Sequence, residues 1–296
     1  MKDILTIVFR LTLSCILAGT VMGTTFVLTN KAKKHNEHVK EERVAYSLLG
    51  FEGEAPESVK INSVHRYVLS QAGEQFIGYF LPAGEDAGSE FVFLQIDLDG
   101  NLEAQYPVDI APEIAADPAE QTAAIVAAIG PGKSLRYAEK YQFITDGGER
   151  TAYLIAGKFP GFKTHIAVML AMETDFSIIG FEVLEHEEDP GLGAEIEQEF
   201  FKNQFAGKPF EVLKDLDVVK APIPDEYMEA LQVELPPEEL EKVMEKYRGN
   251  DIYALTGATI STVAVTDGIK SMVKKFAYRV SILDSVIKDQ NISVSI

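Results

Sequence analysis

The sequence predicts an α+β fold in which an N-terminal transmembrane helix precedes an antiparallel sheet. Three observations lead to it: an apolar run over residues 4–28, short alternating segments separated by turn residues, and a long C-terminal helical pattern. With 296 residues, of which 46% are hydrophobic, the chain is long enough for one or two cores.

The apolar run is interrupted only by Arg10 and by small hydroxyl residues. At about 1.5 Å per residue, a helix of this length crosses a hydrocarbon core of about 30 Å. A cleaved signal peptide is the competing interpretation, because Ala18, Gly19 and Thr20 provide small residues. The run continues past them to Leu28, which favours an uncleaved anchor. We therefore expect residues 1–34 to form an anchor helix with a basic collar.

Charge separates this segment from the rest of the chain. The formal net charge is −19, which argues against nucleic acid as a partner. Residues 1–40 carry a net charge of +4, which leaves −23 on the remainder. Counted by the positive-inside rule, Lys31, Lys33 and Lys34 after the span put the large domain in the cytoplasm. The single cysteine, Cys15, and the scattered histidines predict neither a disulfide nor a metal site.

Residues 35–150 read as an N-terminal α+β region that begins with a helix over residues 35–49. A hairpin is predicted at Asp99-Gly100-Asn101, and a helix over residues 119–129. The order strand, strand, strand, helix then recurs: "YQFITDGGERTAYLIAG" resembles "YVLSQAGEQFIGYFLPAG", at a spacing of roughly 75 positions. This raises the hypothesis of a degenerate tandem duplication. The alternative is that two α+β units share a common pattern by chance.

The stretch "LTGATIST" carries the strongest chemical signal. Gly257 permits backbone geometry that other residues resist, and Ser261 or Thr262 is expected to cap the helix that follows. A helix start suits a phosphate, and a threonine hydroxyl beside it could carry a phosphate ester. An ordinary capped helix is the alternative interpretation of these residues. The motif has no lysine and is therefore not a nucleotide P-loop.

This stretch resembles the [S/T]-G-A-T flavinylation motif of the FMN-binding domain family. The family includes the G subunit of the Rnf complex and the C subunit of the sodium-pumping NADH:quinone oxidoreductase. Two further segments, "LEHEEDPGLGAEI" and "FFKNQFAGK", resemble the H-x-E-T-P-G-L-G and W-x-x-Q-F-x-G-K segments of the same family. The resemblance implies an FMN-binding domain over residues 151–280, followed by a C-terminal tail over residues 281–296. The first repeat lacks Gly-Ala-Thr, so it would be free of flavin.

The resemblance implies that Thr259 holds FMN through a phosphoester bond and that Leu192 packs against the isoalloxazine. Glu187 and Glu188 would act near the ribityl chain, although a solvated acidic loop is equally expected for either one. No catalytic residue is predicted. The implied cofactor site comprises Thr256, Gly257, Ala258, Thr259, Ile260, Ser261, Thr262, Glu187, Glu188, Pro190, Gly191, Leu192 and Gly193.

Two positions depart from the family pattern. Asp189 stands where the family has threonine before Pro-Gly-Leu-Gly. Tyr253 stands where the flavin transferase usually meets an acidic residue, and Asp251 lies two residues earlier.

The resemblance implies a subunit of an Rnf-type ion-translocating ferredoxin:NAD oxidoreductase complex. Such a chain would relay electrons through FMN, together with other membrane subunits and after modification by a flavin transferase. It would cross the inner membrane once, with the flavin domain on the periplasmic or outer face. This orientation is opposite to the one that the lysines after the span predict by the positive-inside rule. The alternatives are a component like the C subunit of the quinone reductase, or a non-redox membrane-tethered assembly or binding module.

Overall fold

The structure of the chain is a computed structural model, and it describes residues 2–51, 53, 55–84 and 90–296. Within helix α1, the side chains of residues 2, 3, 5, 27 and 31–38 lie outside this description. The chain divides into two units, Met1–Val44 and Ala45–Ile296.

The first unit is a single helix. Helix α1 spans Lys2–Leu48 and extends into the first residues of the second unit. Its segment Thr6–Asn30 has 25 residues and is apolar and long enough to cross a membrane. Large apolar side chains such as Ile16 and Phe26 are exposed along it. The predicted collar of Lys31, Lys33 and Lys34 lies outside the described side chains.

The second unit is built on one antiparallel sheet of eight strands, in the order β4-β3-β2-β1-β5-β6-β7-β8. Two four-stranded meanders follow one another, and they join where β1 pairs with β5. The strands are β1 (Val59–Gln71), β2 (Glu74–Ala83), β3 (Glu90–Ile96), β4 (Leu102–Val108), β5 (Lys133–Asp146), β6 (Glu149–Pro160), β7 (His165–Glu173) and β8 (Ile178–Glu185).

Several local predictions are confirmed. Asp97 accepts hydrogen bonds from the backbone N–H groups of Asp99 and Asn101, which closes the predicted hairpin between β3 and β4. The helix predicted over residues 119–129 is α2, Pro118–Ile129. Each meander contains four strands rather than three, because its third strand-like segment folds back as a hairpin.

Helices cover both faces of this sheet. On one face, Tyr67, Leu69 and Phe93 pack against Ile125 and Ile129 of α2. The opposite face forms the larger core, in which alternate residues of the strands meet the last helix, α7, Thr259–Asp289. The alternation of strand side chains between two faces explains why neighbouring residues belong to different cores.

The segment between β8 and α7 is made of short elements that position the start of α7. A 3₁₀ helix, Gly193–Glu197, follows β8, and a two-stranded parallel sheet pairs β9 with β10. The remaining elements are α3 (Glu199–Lys202), α4 (Phe210–Leu213), β9 (Val218–Val219), α5 (Asp225–Leu231), α6 (Pro237–Tyr247) and β10 (Ile252–Tyr253).

Two predicted boundaries differ from the structure. The division at residues 150/151 falls inside β6, and β1 pairs with β5 along its whole length, so residues 35–150 are not a separate domain. The predicted tail, residues 281–296, is not a tail. Helix α7 continues to Asp289, because Leu283 and Val286 extend its buried stripe. Val294 then bridges to Ala83 of β2.

Candidate functional site

A tight turn precedes the first residue of α7. Gly257 has a φ of 75°, which side-chain-bearing residues rarely adopt. The backbone N–H of Ala258 donates to the carbonyl oxygen of Leu255 at 3.0 Å. The hydroxyl of Thr262 accepts from the N–H of Leu255 and donates to the carbonyl oxygen of Ala258, both at 3.1 Å. The side chain of Thr262 therefore fastens the turn to the helix.

The expectation that Ser261 or Thr262 caps this helix is wrong. The helix begins at Thr259, so both residues lie in its first turn rather than before it. Ala258 occupies the cap position, and no side chain caps the helix. Since the first N–H groups of a helix have no partner within it, those of α7 are available to an anion.

Thr259 opens onto a cleft of about 270 Å³, called here the α7 cleft. Three of its apolar side chains are exposed: Phe162, Leu192 and Ile260. The cleft therefore has an apolar wall beside a helix N-terminus. Its lining residues are Phe162, Glu188, Asp189, Leu192, Gly193, Gly257, Ala258, Thr259, Ile260 and Ser261.

Glu188 joins three segments around this cleft. It is only 5% exposed, so the interpretation as a solvated acidic loop is wrong for this residue. One carboxylate oxygen accepts the backbone N–H groups of Phe162, at 2.8 Å, and Lys163, at 3.2 Å. The other accepts the hydroxyl of Ser261 at 2.5 Å. The carboxylate thus ties the β6–β7 turn to the first turn of α7.

The hydrogen bond between Glu188 and Ser261 requires a glycine at position 193. A Cβ atom at this position would lie 2.6 Å from Ser261 Oγ and 2.7 Å from a carboxylate oxygen of Glu188. A side chain here would therefore push the Glu188–Ser261 pair apart. The N–H of Glu188 donates to Nδ1 of His186 at 3.0 Å, so His186 stabilises the turn that carries Glu188.

Not every predicted site residue reaches the α7 cleft. Thr262 is fully buried and serves the turn, as described above. Four other predicted residues are exposed and do not line the cleft: Thr256, Glu187, Pro190 and Gly191. For Glu187, the interpretation as a solvated acidic residue remains the better one.

The two positions that depart from the family pattern have defined partners. The carboxylate of Asp189 forms an ion pair with Lys163, and the hydrogen bond between them raises the pKa of Lys163. The pair offsets one negative charge at the rim of the α7 cleft. Asp251 is exposed and accepts the N–H of Asp217 at 2.9 Å. The ring of Tyr253 packs edge-on against Tyr227.

Sequence reasoning missed a clamp that holds the segment before the motif. The buried side-chain amide of Gln204 accepts the N–H of Tyr253 at 2.7 Å and donates to its carbonyl oxygen at 3.3 Å. The buried ammonium of Lys208 donates to the carbonyl oxygens of Arg248 and Asn250. Burial lowers the pKa of Lys208 to about 8. Both residues lie in the quoted "FFKNQFAGK" segment, whose structural role only the fold reveals.

Phe162 was also missed. It lies in the turn between β6 and β7, where its exposed ring borders the α7 cleft. A lone aromatic residue in a Gly-Phe-Lys-Thr turn has no periodic pattern that would mark it.

The amino-acid sequence is similar to those of known proteins. The G subunit of the proton-translocating ferredoxin:NAD(+) oxidoreductase complex of Clostridium ljungdahlii is 30% identical over 129 residues, which are 44% of this chain and 55% of that protein. The G subunit of an ion-translocating oxidoreductase complex of Methanosarcina acetivorans is 28% identical over 134 residues, 45% of this chain and 55% of that protein. The matched region spans about half the length of both relatives.

Among solved structures, NqrC of Shewanella oneidensis is 16% identical, with a TM-score of 0.44, and the match covers 80% of this chain and 91% of that one. Residues 161–274 match the FMN-binding domain family. This range contains every residue that lines the α7 cleft, and it bears out FMN as the predicted cofactor. Over these residues, the chain is similar to the FMN-binding domain family.

Proposed function

We propose that this chain is a membrane-anchored subunit of an Rnf-type ion-translocating complex and that it relays electrons through an FMN joined to Thr259 by a phosphoester bond. The observation that carries this proposal is the position of Thr259, the first residue of an uncapped 31-residue helix that opens onto the α7 cleft. When bound, FMN supplies the capacity to accept and release electrons.

The residues of the α7 cleft fit a flavin phosphate. The uncapped N–H groups of the first turn of α7, together with the helix dipole, favour a negative charge beside the hydroxyl of Thr259. Gly257 keeps that approach free of a side chain. Attachment through Oγ1 of Thr259 would keep the phosphate at the helix start between successive electron transfers.

The same cleft fits a planar apolar ring. Phe162, Leu192 and Ile260 expose apolar surface that faces a common space, and a bound isoalloxazine would cover part of it. Glu188 would act as a positioning residue here, because it bonds both the turn that carries Phe162 and the first turn of α7. We assign no catalytic acid or base to this chain.

Membrane attachment is part of the proposal. The 25 residues of Thr6–Asn30 would span about 37 Å as a helix, which exceeds a hydrocarbon core of about 30 Å. The matched relatives are named as subunits of ion-translocating complexes, so we propose other membrane subunits as partners. We place the flavin domain on the periplasmic or outer face of the inner membrane, with a flavin transferase acting on it there.

The first meander is proposed to bind no flavin. The N-terminus of α2 is already capped, because the side chain of Asp117 accepts the N–H groups of Ala119 and Glu120. A carboxylate at this position occupies the N–H groups that a phosphate would need. This meander also lacks a Gly-Ala-Thr segment, in keeping with a degenerate duplication of which only the second copy kept the cofactor.

The test is to express the full chain with a flavin transferase, denature it in SDS and record in-gel flavin fluorescence. We expect fluorescence from the parent chain and from Thr256→Ser, which keeps the [S/T]-G-A-T motif, and none from Thr259→Ala. Fluorescence that survives in Thr259→Ala would overturn the attachment site. A parent protein that stays colourless and flavin-free after purification would favour the non-redox assembly module instead.

A further inference from the structure

A second cleft, of about 420 Å³, gathers positive charge in a chain whose net charge is −19. It lies between β5, β6 and α7, and we call it the basic cleft. A single carboxylate, that of Glu139, is found among its described lining residues. Five cationic side chains line it: Arg66, Arg136, Lys158, Lys275 and Arg279.

Two of these cations are fixed in place. Arg66 and Arg279 both donate to the same carboxylate oxygen of Glu139, Arg279 at 2.6 Å. The guanidinium of Arg279 also donates to the hydroxyl of Tyr141 at 3.1 Å. The side chains of Arg66 and Arg279 are only 13% and 24% exposed. One carboxylate thus orients two guanidinium groups and neutralises one positive charge of the pair.

The other cations leave positive charge in excess. Arg136 and Lys275 are exposed and form no ion pair with an acidic side chain within the described part of the chain. Lys158 approaches Glu185 at 3.7 Å, but both groups are largely exposed, so solvent screens that pair. Like charges that line one cleft repel one another, and a bound anion would relieve that repulsion.

Apolar side chains line the cleft between the cations. Met272, which is half-buried, supplies this apolar surface, whereas Ile155 and Phe276 are only 4% and 1% exposed. Met272 reaches β6 because residue 157 is a glycine, where a Cβ atom would lie only 2.3 Å from the sulfur. A volume of this size falls in the range of small-molecule pockets.

We propose that the basic cleft binds a small phosphorylated molecule, with its phosphate between Arg136, Lys275 and Arg279 and its apolar part against Met272. Two fixed guanidinium groups and two free cations suit the several oxygens of a phosphate. The site is separate from the α7 cleft. The two clefts share no lining residue, and Met272 lies about 20 Å along α7 from Thr259.

The test is isothermal titration calorimetry on the full chain in non-ionic detergent, with AMP as the probe at constant ionic strength. Adenosine, which lacks the phosphate, and short-chain phosphatidylglycerol below its critical micelle concentration are titrated in parallel. We expect AMP or the lipid to bind and adenosine not to bind. Preference for AMP identifies a soluble ligand, and preference for the lipid identifies a headgroup.

The double variant Arg136→Gln/Lys275→Gln is expected to weaken binding by about tenfold or more, because each lost partner is a charged donor. Both residues are exposed, so the fold should be retained, and the thermal midpoint checks this. Lys274→Gln removes one positive charge beside Lys275 but outside the cleft, and should leave the affinity within about twofold. Absence of binding by both phosphate probes, or equal affinity in all variants, would overturn the proposal.

Discussion

Replacing Glu188 by alanine tests how the segments around the α7 cleft are held together. The change removes one hydrogen bond from a hydroxyl and two from backbone N–H groups, all to a buried carboxylate. Hydrogen bonds to charged groups each contribute about 1.5–3 kcal/mol, and some of the freed donors will find water. We therefore expect the free energy of unfolding to fall by about 3 kcal/mol.

In a domain of this size, such a loss lowers the thermal midpoint by about 8 °C. The assay is thermal unfolding of the full chain in detergent, followed by near-ultraviolet circular dichroism of its tyrosines. Glu188→Gln keeps an oxygen for the N–H groups and presents an amide to the hydroxyl of Ser261. This variant should therefore lower the free energy of unfolding by only about 1 kcal/mol.

Glu187→Ala is the matched control, because Glu187 is the adjacent residue and is exposed. Its effect should stay within about 0.5 kcal/mol. Equal midpoints for Glu188→Ala and Glu187→Ala would refute the view that Glu188 joins the three segments.

Three further substitutions test neighbouring features by the same unfolding assay. Gln204→Ala should cost about 2 kcal/mol, since it removes both hydrogen bonds to the backbone of Tyr253; a cost below about 0.5 kcal/mol would argue against the clamp. Gly193→Ala should cost about 2 kcal/mol through overpacking, whereas Gly249→Ala, which has open space around it, should not. Burial lowers the pKa of Lys208 to about 8 in the folded chain, whereas the pKa is about 10.4 in the unfolded chain. Between about pH 8 and 10.4, the unfolded chain therefore binds more protons than the folded chain. The stability linked to this group is therefore fully present above about pH 10.4 and is lost as the pH falls through about 8. The free energy of unfolding should rise by about 1 kcal/mol more in the parent than in Lys208→Met between about pH 7 and 9, and parallel pH profiles would contradict this.

Local sequence patterns predicted the strands and hairpins well, because turn residues act on their immediate neighbours. The hairpin predicted at Asp99-Gly100-Asn101 joins β3 to β4, and the helix predicted over residues 119–129 is α2 to within one residue. Local sequence patterns could not show whether a domain boundary lies at residue 150. The answer depends on whether β1 pairs with β5. That pairing joins residues more than 60 positions apart, and no local pattern encodes it.

The candidate site was predicted in part. The motif identified Thr259 and the glycines, but a run of hydroxyl residues does not reveal where a helix begins. Ser261 and Thr262 were therefore assigned as caps, when they bond Glu188 and the preceding turn instead. Local sequence also does not predict the burial of Glu188, because that burial depends on contact with the β6–β7 turn, 26 positions earlier in the chain.

Peptide mass spectrometry of the chain purified after co-expression with a flavin transferase tests the attachment of FMN to Thr259 most directly. We expect the peptide containing residues 254–262 to gain the mass of FMN less one water, with fragmentation assigning the added mass to Thr259. An unmodified peptide, or flavin mass on Thr256, Ser261 or Thr262, would contradict the proposed attachment.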